Sequence, residues 1–290
     1  MIVDKGVTLT RPLIMRLSFY CVLEVCIEDP DEPKDPETPH FIPAYSQKVK
    51  ASKEFQTFQF DHSFVLNSLK SSMEGYVFHN QPLDTDDLLE QTVKLFNSCK
   101  TSLELFDMLH NMRAYDDSTY AHSLNVALIC RRIGKWLKVD AATLDTLTLC
   151  GLLHDIGKLK IPDEILNKPG KYTDEEFDLV KRHTKFGYEL LKTLNIDPHI
   201  KKAALLHHER CDGSGYPLKA TQKDLDNFSM VVAIADVYDA MTAARSYRAP
   251  LCPFQVIERF EQEGLQKYKP NLSLPFCSIS HPLIRTTVFF

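Results

Sequence analysis

Seven histidines and aspartates stand where a helical chain buries its side chains, and that placement constrains this sequence more than any other feature. His122, His154, Asp155, His183, His207, His208 and Asp236 each fall at an apolar helical position or at a helix end. Burying a polar group without a partner costs up to several kcal/mol, so a set of this size requires a common sink. A metal cluster supplies one. Imidazoles and carboxylates together suit Fe, Mn, Zn or Ni, and the absence of cysteine from the set argues against a structural zinc site. Seven ligands exceed what one ion holds and suit two ions sharing Asp155 as a bridge, where a bridging water becomes hydroxide near neutral pH and attacks phosphorus. His110 and His199, outside the pattern, read as ordinary surface or core residues.

The helices that deliver these side chains follow from period and punctuation. Leu88, Leu89, Val93 and Phe96, then Leu103, Phe106, Leu109 and Met112, open a helical region near Asp86. Asp117 or Ser118 caps a helix bearing His122, Val126, Ile129, Cys130 and Ile133, and Asp140 caps the next, through Leu144 and Leu147 to His154. Thr173 and Glu176 form a capping box for a helix through Phe177, Val180, His183 and Leu190. Ile200, Ala203 and Leu206 lead to His207 and His208 at a helix end, before the Gly/Pro punctuation of residues 211–217. A very apolar helix around Met230–Ala235 carries Asp236 and Asp239, and a last one runs from Pro253 to Gly264.

Composition sets the frame. With 44% apolar and 25% charged residues, the 290-residue chain is an ordinary globular one, with room for one sizeable core and a smaller appendage. A net charge of -5 and the lack of a Lys/Arg block argue against duplex nucleic acid as a partner. The apolar stretch from Leu13 to Ile27 is interrupted by Arg16 and Glu24, so neither a signal peptide nor a membrane span is expected. Eight cysteines with no Cys-x-x-Cys pair point to the reducing cytoplasm. Residues 1–85, with five prolines between Pro30 and Pro43, are expected to be a separate, mixed or β-containing module with a Pro-rich linker. Residues 86–270 form the catalytic domain, and 271–290 an irregular or truncated tail.

The run His154-Asp155-Ile156-Gly157-Lys158, followed by His207-His208-Glu209-Arg210-Cys211-Asp212-Gly213-Ser214-Gly215-Tyr216-Pro217, resembles the HD-GYP family, a branch of the HD phosphohydrolase superfamily. The likeness covers roughly residues 100–270, including Ala235–Thr242 and Arg245-Ser246-Tyr247-Arg248. It implies an all-α helical bundle around a buried di-metal site, acting as a phosphodiesterase that opens cyclic di-GMP to linear pGpG, with a second cut to GMP as a further step. The family's metal ligands carry over onto the same seven residues. Members with three metals place a Glu four residues before the first His, where this chain has Ser118, so a binuclear site is expected, holding two divalent transition-metal ions, Fe or Mn. The resemblance sets Lys158, beside the catalytic Asp155, against substrate phosphate, and Arg245 and Arg248 against phosphate or guanine. Arg210, Gly213 and Tyr216 complete the substrate-binding set, the Gly213–Pro217 turn shaping the loop beside the site and Tyr216 holding it by its hydroxyl. Expected partners are cyclic di-GMP, a diguanylate cyclase acting in opposition, and a second copy of the chain as a homodimer. The competing readings are a hydrolase of another cyclic dinucleotide or of a nucleotide, and a non-catalytic cyclic di-GMP receptor.

Overall fold

Two helices that bury almost every side chain they carry form the centre of the molecule. The structure is a computed structural model. It describes residues 45–112, 118–243 and 266–272, together with positions 8, 10, 256, 259, 260 and 262. Helix α1 spans Tyr45–Ala51, α2 Lys53–His79, α3 Thr85–Ser98, α4 Ser102–Met112, α5 Thr119–Trp136 and α6 Ala141–Leu153. A 3-10 turn at Ile156–Lys160 is followed by α7 (Asp163–Leu166), α8 (Asp174–Lys181), α9 (His183–Leu191), α10 (Pro198–Leu206) and α11 (Asn227–Thr242). Among the described residues no strand occurs, only one isolated antiparallel bridge between Asp212 and Thr221. The all-α expectation is met.

The central pair is α5 and α11. In α5 Ala121 and every residue from Ser123 to Gly134 are buried, and in α11 so is the run from Ser229 to Asp236. A helix apolar all round has no solvent face and must be wrapped by others. α6 packs along α5 as a helical hairpin closed by the short connection 137–140. Arg131 ties the hairpin across its length, donating to Asp145 at 2.8 Å and to Thr148 at 3.0 Å. α10 lies against both α6 and α11, and α9 packs on α10 and on the 3-10 turn.

The expected caps hold the helix ends. The Oγ of Ser118 accepts from the Ala121 amide at 3.2 Å, and Asp140 accepts from Thr143 at 3.0 Å. Thr173 and Glu176 form the reciprocal capping box. The helix expected to continue from there past His183 is instead broken at Arg182, so that His183 opens α9. That break lets the His183 ring reach back to the Val180 carbonyl.

Within the expected N-terminal module the described part, residues 45–85, is helical. α2 buries Phe55, Phe58, Val65, Leu66, Leu69 and Met73 in the same apolar cluster as α3 to α6, and the Tyr120 hydroxyl of α5 donates to Glu74 of α2 at 2.9 Å. Any β structure in that module falls outside the described residues, as do the 13–27 stretch, the Pro-rich linker, Asp117, Arg245, Arg248 and the tail from 273. Positions 256, 259, 260 and 262 are helical, and the rest of the helix expected at 253–264 lies outside the described residues. Cys99, Cys130, Cys150 and Cys211 are free thiols, and no helix among the described residues is long and apolar enough to cross a membrane.

Gly157 is where the site-bearing turn meets α9. A Cβ there would stand 1.9 Å from the His183 carbonyl oxygen and 2.4 Å from the Gly187 amide nitrogen, both backbone atoms that cannot swing aside. Gly157→Ala is therefore expected to destabilise the metal-free chain by about 3 kcal/mol or more. Gly187→Ala, whose Cβ would meet Ala204 at 3.4 Å, is expected to change stability by less than about 1 kcal/mol. Urea unfolding of both variants checks this, and equal losses would contradict the close-approach argument.

Candidate metal centre

Three of the cluster histidines are aimed by the ends of their own helices. His154 follows α6 and donates Nδ1–H to the Gly151 carbonyl at 2.7 Å; His207 follows α10 and donates to the Ala203 carbonyl at 2.9 Å; His183 donates to the Val180 carbonyl at 2.6 Å. A histidine at a helix end has carbonyls of the last turn within reach of its ring, and at Ala203 the oxygen serves both the His207 amide and the His207 ring. Each donation fixes the tautomer with the lone pair on Nε2, the ligating form.

Those lone pairs converge on Asp155, which is almost fully buried. Its Oδ1 lies 3.3 Å from His183 Nε2 and 3.7 Å from His207 Nε2, while Oδ2 lies 3.2 Å from His154 Nε2 and 3.7 Å from His122 Nε2. Lys158, one turn on, pairs with Oδ2. Two groupings result, in each of which the ligand atoms lie within 4.8 Å of one another: Asp155, His183, His207 and His208, and Asp155, His122 and His154. Asp236 borders both, with Oδ1 3.0 Å from His122 Nε2 and Oδ2 3.7 Å from His208 Nδ1.

The donor set fits divalent cations on the structure's own terms. His154 Nε2 and Asp155 Oδ1 are buried without a hydrogen-bond partner. His183 Nε2 and His207 Nε2 face each other at 3.3 Å although both Nδ1 atoms are already donating. Two lone pairs at that separation repel, and a cation between them removes the conflict; nitrogens about 2.1 Å from one ion stand about 3.0 to 3.4 Å apart. Burial lowers the His183 pKa to about 4 and that of His208 to about 3, and holds that of His207 well below its ordinary range, so all three rings are neutral donors at neutral pH. Burial disfavours charge on Asp155, but His154 and Lys158 outweigh it and hold the carboxyl well below its usual range. His122 behaves oppositely: burial lowers its pKa, and hydrogen bonds to Asp236 and Asp239 more than compensate, raising it to about 9.

The structure thus gathers His122, His154, Asp155, His183, His207, His208, Asp236 and Lys158 into one site. Ser118 stands at the N-cap of α5 with its hydroxyl engaged by the Ala121 amide. Arg210 turns elsewhere: its guanidinium donates to the His207 and Glu209 carbonyls at 3.1 and 2.7 Å and lies over the Tyr268 ring at 5.2 Å. Tyr216 acts through its ring rather than its hydroxyl, packing on His208 with centroids 4.7 Å apart. Gly215 permits this, since a Cβ there would stand 2.4 Å from the Glu209 Cα, and Gly213 supplies the positive φ of 76° at the loop's start.

Two residues of the site had no assigned role from sequence. Asp239, one turn beyond Asp236 and equally deep in an apolar helix, accepts from His122 Nδ1 at 2.8 Å. Glu209, wholly buried, accepts from the Leu218 and Ala220 amides at 2.6 and 3.0 Å and closes the 209–220 loop over the cluster. Their burial in apolar surroundings was the available signal.

The profile of the HD domain family matches residues 87–272. The chain belongs to the HD domain family. The long signature from His207 to Pro217 places it in the HD-GYP branch. It is 38% identical over 155 residues to a cyclic di-GMP phosphodiesterase of Pseudomonas aeruginosa, covering 53% of this chain and 37% of that one. It is 35% identical over 176 residues to a 3'3'-cGAMP-specific phosphodiesterase of Vibrio cholerae, covering 60% and 34%. The chain thus spans little more than a third of either relative's length. The fold of an HDG"Y"P protein from Bdellovibrio bacteriovorus superposes with a TM-score of 0.63 at 17% identity, covering 81% of this chain and 76% of that one.

Glu209→Gln replaces one of the two acceptor oxygens with a donor that faces an amide N–H, leaving the other oxygen to accept. It is expected to cost about 1 to 3 kcal/mol and to speed amide exchange at Leu218 and Ala220 while leaving α5 and α6 protected. Hydrogen-exchange mass spectrometry reads this, and unchanged loop protection would refute the anchoring role.

Proposed function

We propose that the chain is a metal-dependent phosphodiesterase that opens cyclic di-GMP to linear pGpG. The carrying observation is the pair of ligand groupings that share the buried carboxylate of Asp155. His122, His154, Asp155 and Asp236 would hold one divalent ion, and Asp155, His183, His207 and His208 a second, with Fe or Mn the metals such a mixed imidazole and carboxylate set favours. Divalent ions there supply Lewis acidity to a phosphodiester and a water acidic enough to attack near neutral pH.

The chain's own residues do the rest. Asp155 holds its charge at any working pH and sets the spacing of the two ligand sets. Lys158 places its ammonium at the edge of the cluster, 23% exposed, where a non-bridging phosphate oxygen can take it from Asp155. Tyr216 and the Glu209-anchored loop cover His208 and limit water on that side. Arg245 and Arg248, outside the described residues, are assigned to phosphate or guanine, and Arg210 and Gly213 shape the loop rather than touch substrate. Residues 86–270 form the catalytic unit, with 1–85 as an N-terminal module and 271–290 as a tail. Ser118, at the position where three-metal members carry Glu, supports two ions and pGpG as the main product.

A second cyclic dinucleotide has a specific observation in its favour, since a relative of similar identity is named for 3'3'-cGAMP. Anaerobic purification, metal analysis, and incubation of the Mn- or Fe-loaded chain with each dinucleotide decide between them. The expected result is two ions per chain and pGpG from cyclic di-GMP. Faster turnover of 3'3'-cGAMP would reassign the substrate, and tight binding without cleavage would make the chain a receptor. Asp155→Ala is expected to lower kcat by about 1,000-fold or more and to lose bound metal, and Lys158→Ala to lower kcat/KM by about 10- to 100-fold with metal retained. Preserved turnover in Asp155→Ala would overturn the assignment.

A further inference from the structure

The four histidines nearest Asp155 are not held alike. His154, His183 and His207 each use a carbonyl three or four residues upstream to fix the ring. His122 is held differently. It stands in the first turn of α5, where the carbonyl four residues before it, that of Ser118, accepts the His122 amide at 3.0 Å. Its ring nitrogen Nδ1 turns instead to a carboxylate of α11. Asp239 provides it. This carboxylate is 3% exposed and projects from α11 one turn past Asp236, and its Oδ2 lies 2.8 Å from His122 Nδ1.

We propose that Asp239 is the positioning residue of the metal centre. Its bond to Nδ1 turns Nε2 of His122 toward Asp236 and Asp155, and its charge makes this imidazole a stronger donor than the three backed by neutral carbonyls. The inference rests on the di-metal reading and adds to it that the two ions are unequal. The ion on the His122 side is bound within a carboxylate-rich set, with Asp155 and Asp236 as ligands and Asp239 behind the ring. The other ion sits among His183, His207 and His208, two of which are backed by peptide carbonyls. Loss of Asp239 should therefore weaken one ion selectively.

The test uses the full chain, stripped of metal and titrated with Co2+ under anaerobic conditions, with calorimetry for stoichiometry and affinity and visible absorption for coordination. Asp239→Asn keeps the shape and an acceptor oxygen but removes the charge, so it should fold as the wild type by circular dichroism and urea midpoint. It is expected to bind one Co2+ normally and the other about 10- to 100-fold more weakly, with an altered visible spectrum. Asp145→Asn, which alters the partly exposed Arg131 pair far from the cluster, should leave both ions and the spectrum unchanged. Two Co2+ sites of wild-type affinity and spectrum in Asp239→Asn would overturn the proposal while leaving the di-metal reading intact. Fewer than two Co2+ sites in the wild type would overturn the di-metal reading itself, and equal weakening of both ions would overturn the claim that they differ.

Discussion

A buried carboxylate surrounded by imidazoles is the interaction on which the rest of this structure depends. Asp155 has four histidine rings and a lysine within 4 Å, and those groups come from α5, the end of α6, the 3-10 turn, α9 and the end of α10. Asp236 from α11 closes the ring around His122 and His208. Five helices, α5, α6, α9, α10 and α11, therefore meet at one polar point, where a displacement of about an ångström would leave a buried donor or acceptor unmatched. The apolar contacts of α5, α6, α10 and α11 supply the stability that makes so polar a centre tolerable. A bound cation would in turn stabilise the folded state by mass action, since the unfolded chain does not hold the ligands together.

Helix termini do most of the placing. A C-terminal turn brings carbonyls within reach of a ring, and three histidines use them, so one local bond sets the tautomer. The same economy explains the break at Arg182. A continuous helix through His183 would engage the Val180 carbonyl in its own ladder, whereas the break leaves it for the ring at 2.6 Å. Gly157 then lets the 3-10 turn that follows Asp155 press directly onto the backbone of His183, which fixes the distance between the carboxylate and its ligands.

Much of this was legible in the sequence, because caps and periodic apolar residues are local signals. Ser118, Asp140 and the Thr173–Glu176 pair start helices where their side-chain chemistry says they should, and the histidines and aspartates set in apolar stripes are the ones the fold gathers into a cluster. What escaped is what depends on non-local geometry. The stripe of Phe55, Phe58, Val65, Leu69 and Met73 is helical, yet Phe60, Phe64 and Phe78 are more than half exposed on the same helix and blur its period, which left the first 85 residues reading as a mixed module. Arg210 carries a charge that suits phosphate, but neighbouring carbonyls and Tyr268 take it in the fold. Asp239 resembles any carboxylate one turn from another until α5 is laid beside α11.

The signature loop is held together by contacts among its own residues and with the cluster. Glu209 is consumed by two backbone amides, Gly215 is demanded by contact with Glu209, and the Tyr216 ring lies on His208. Each of these contacts builds the loop beside the ligand cluster. Discrimination between guanine and adenine requires paired donors and acceptors at the base edge, and Glu209, Gly215 and Tyr216 are already engaged in building the loop.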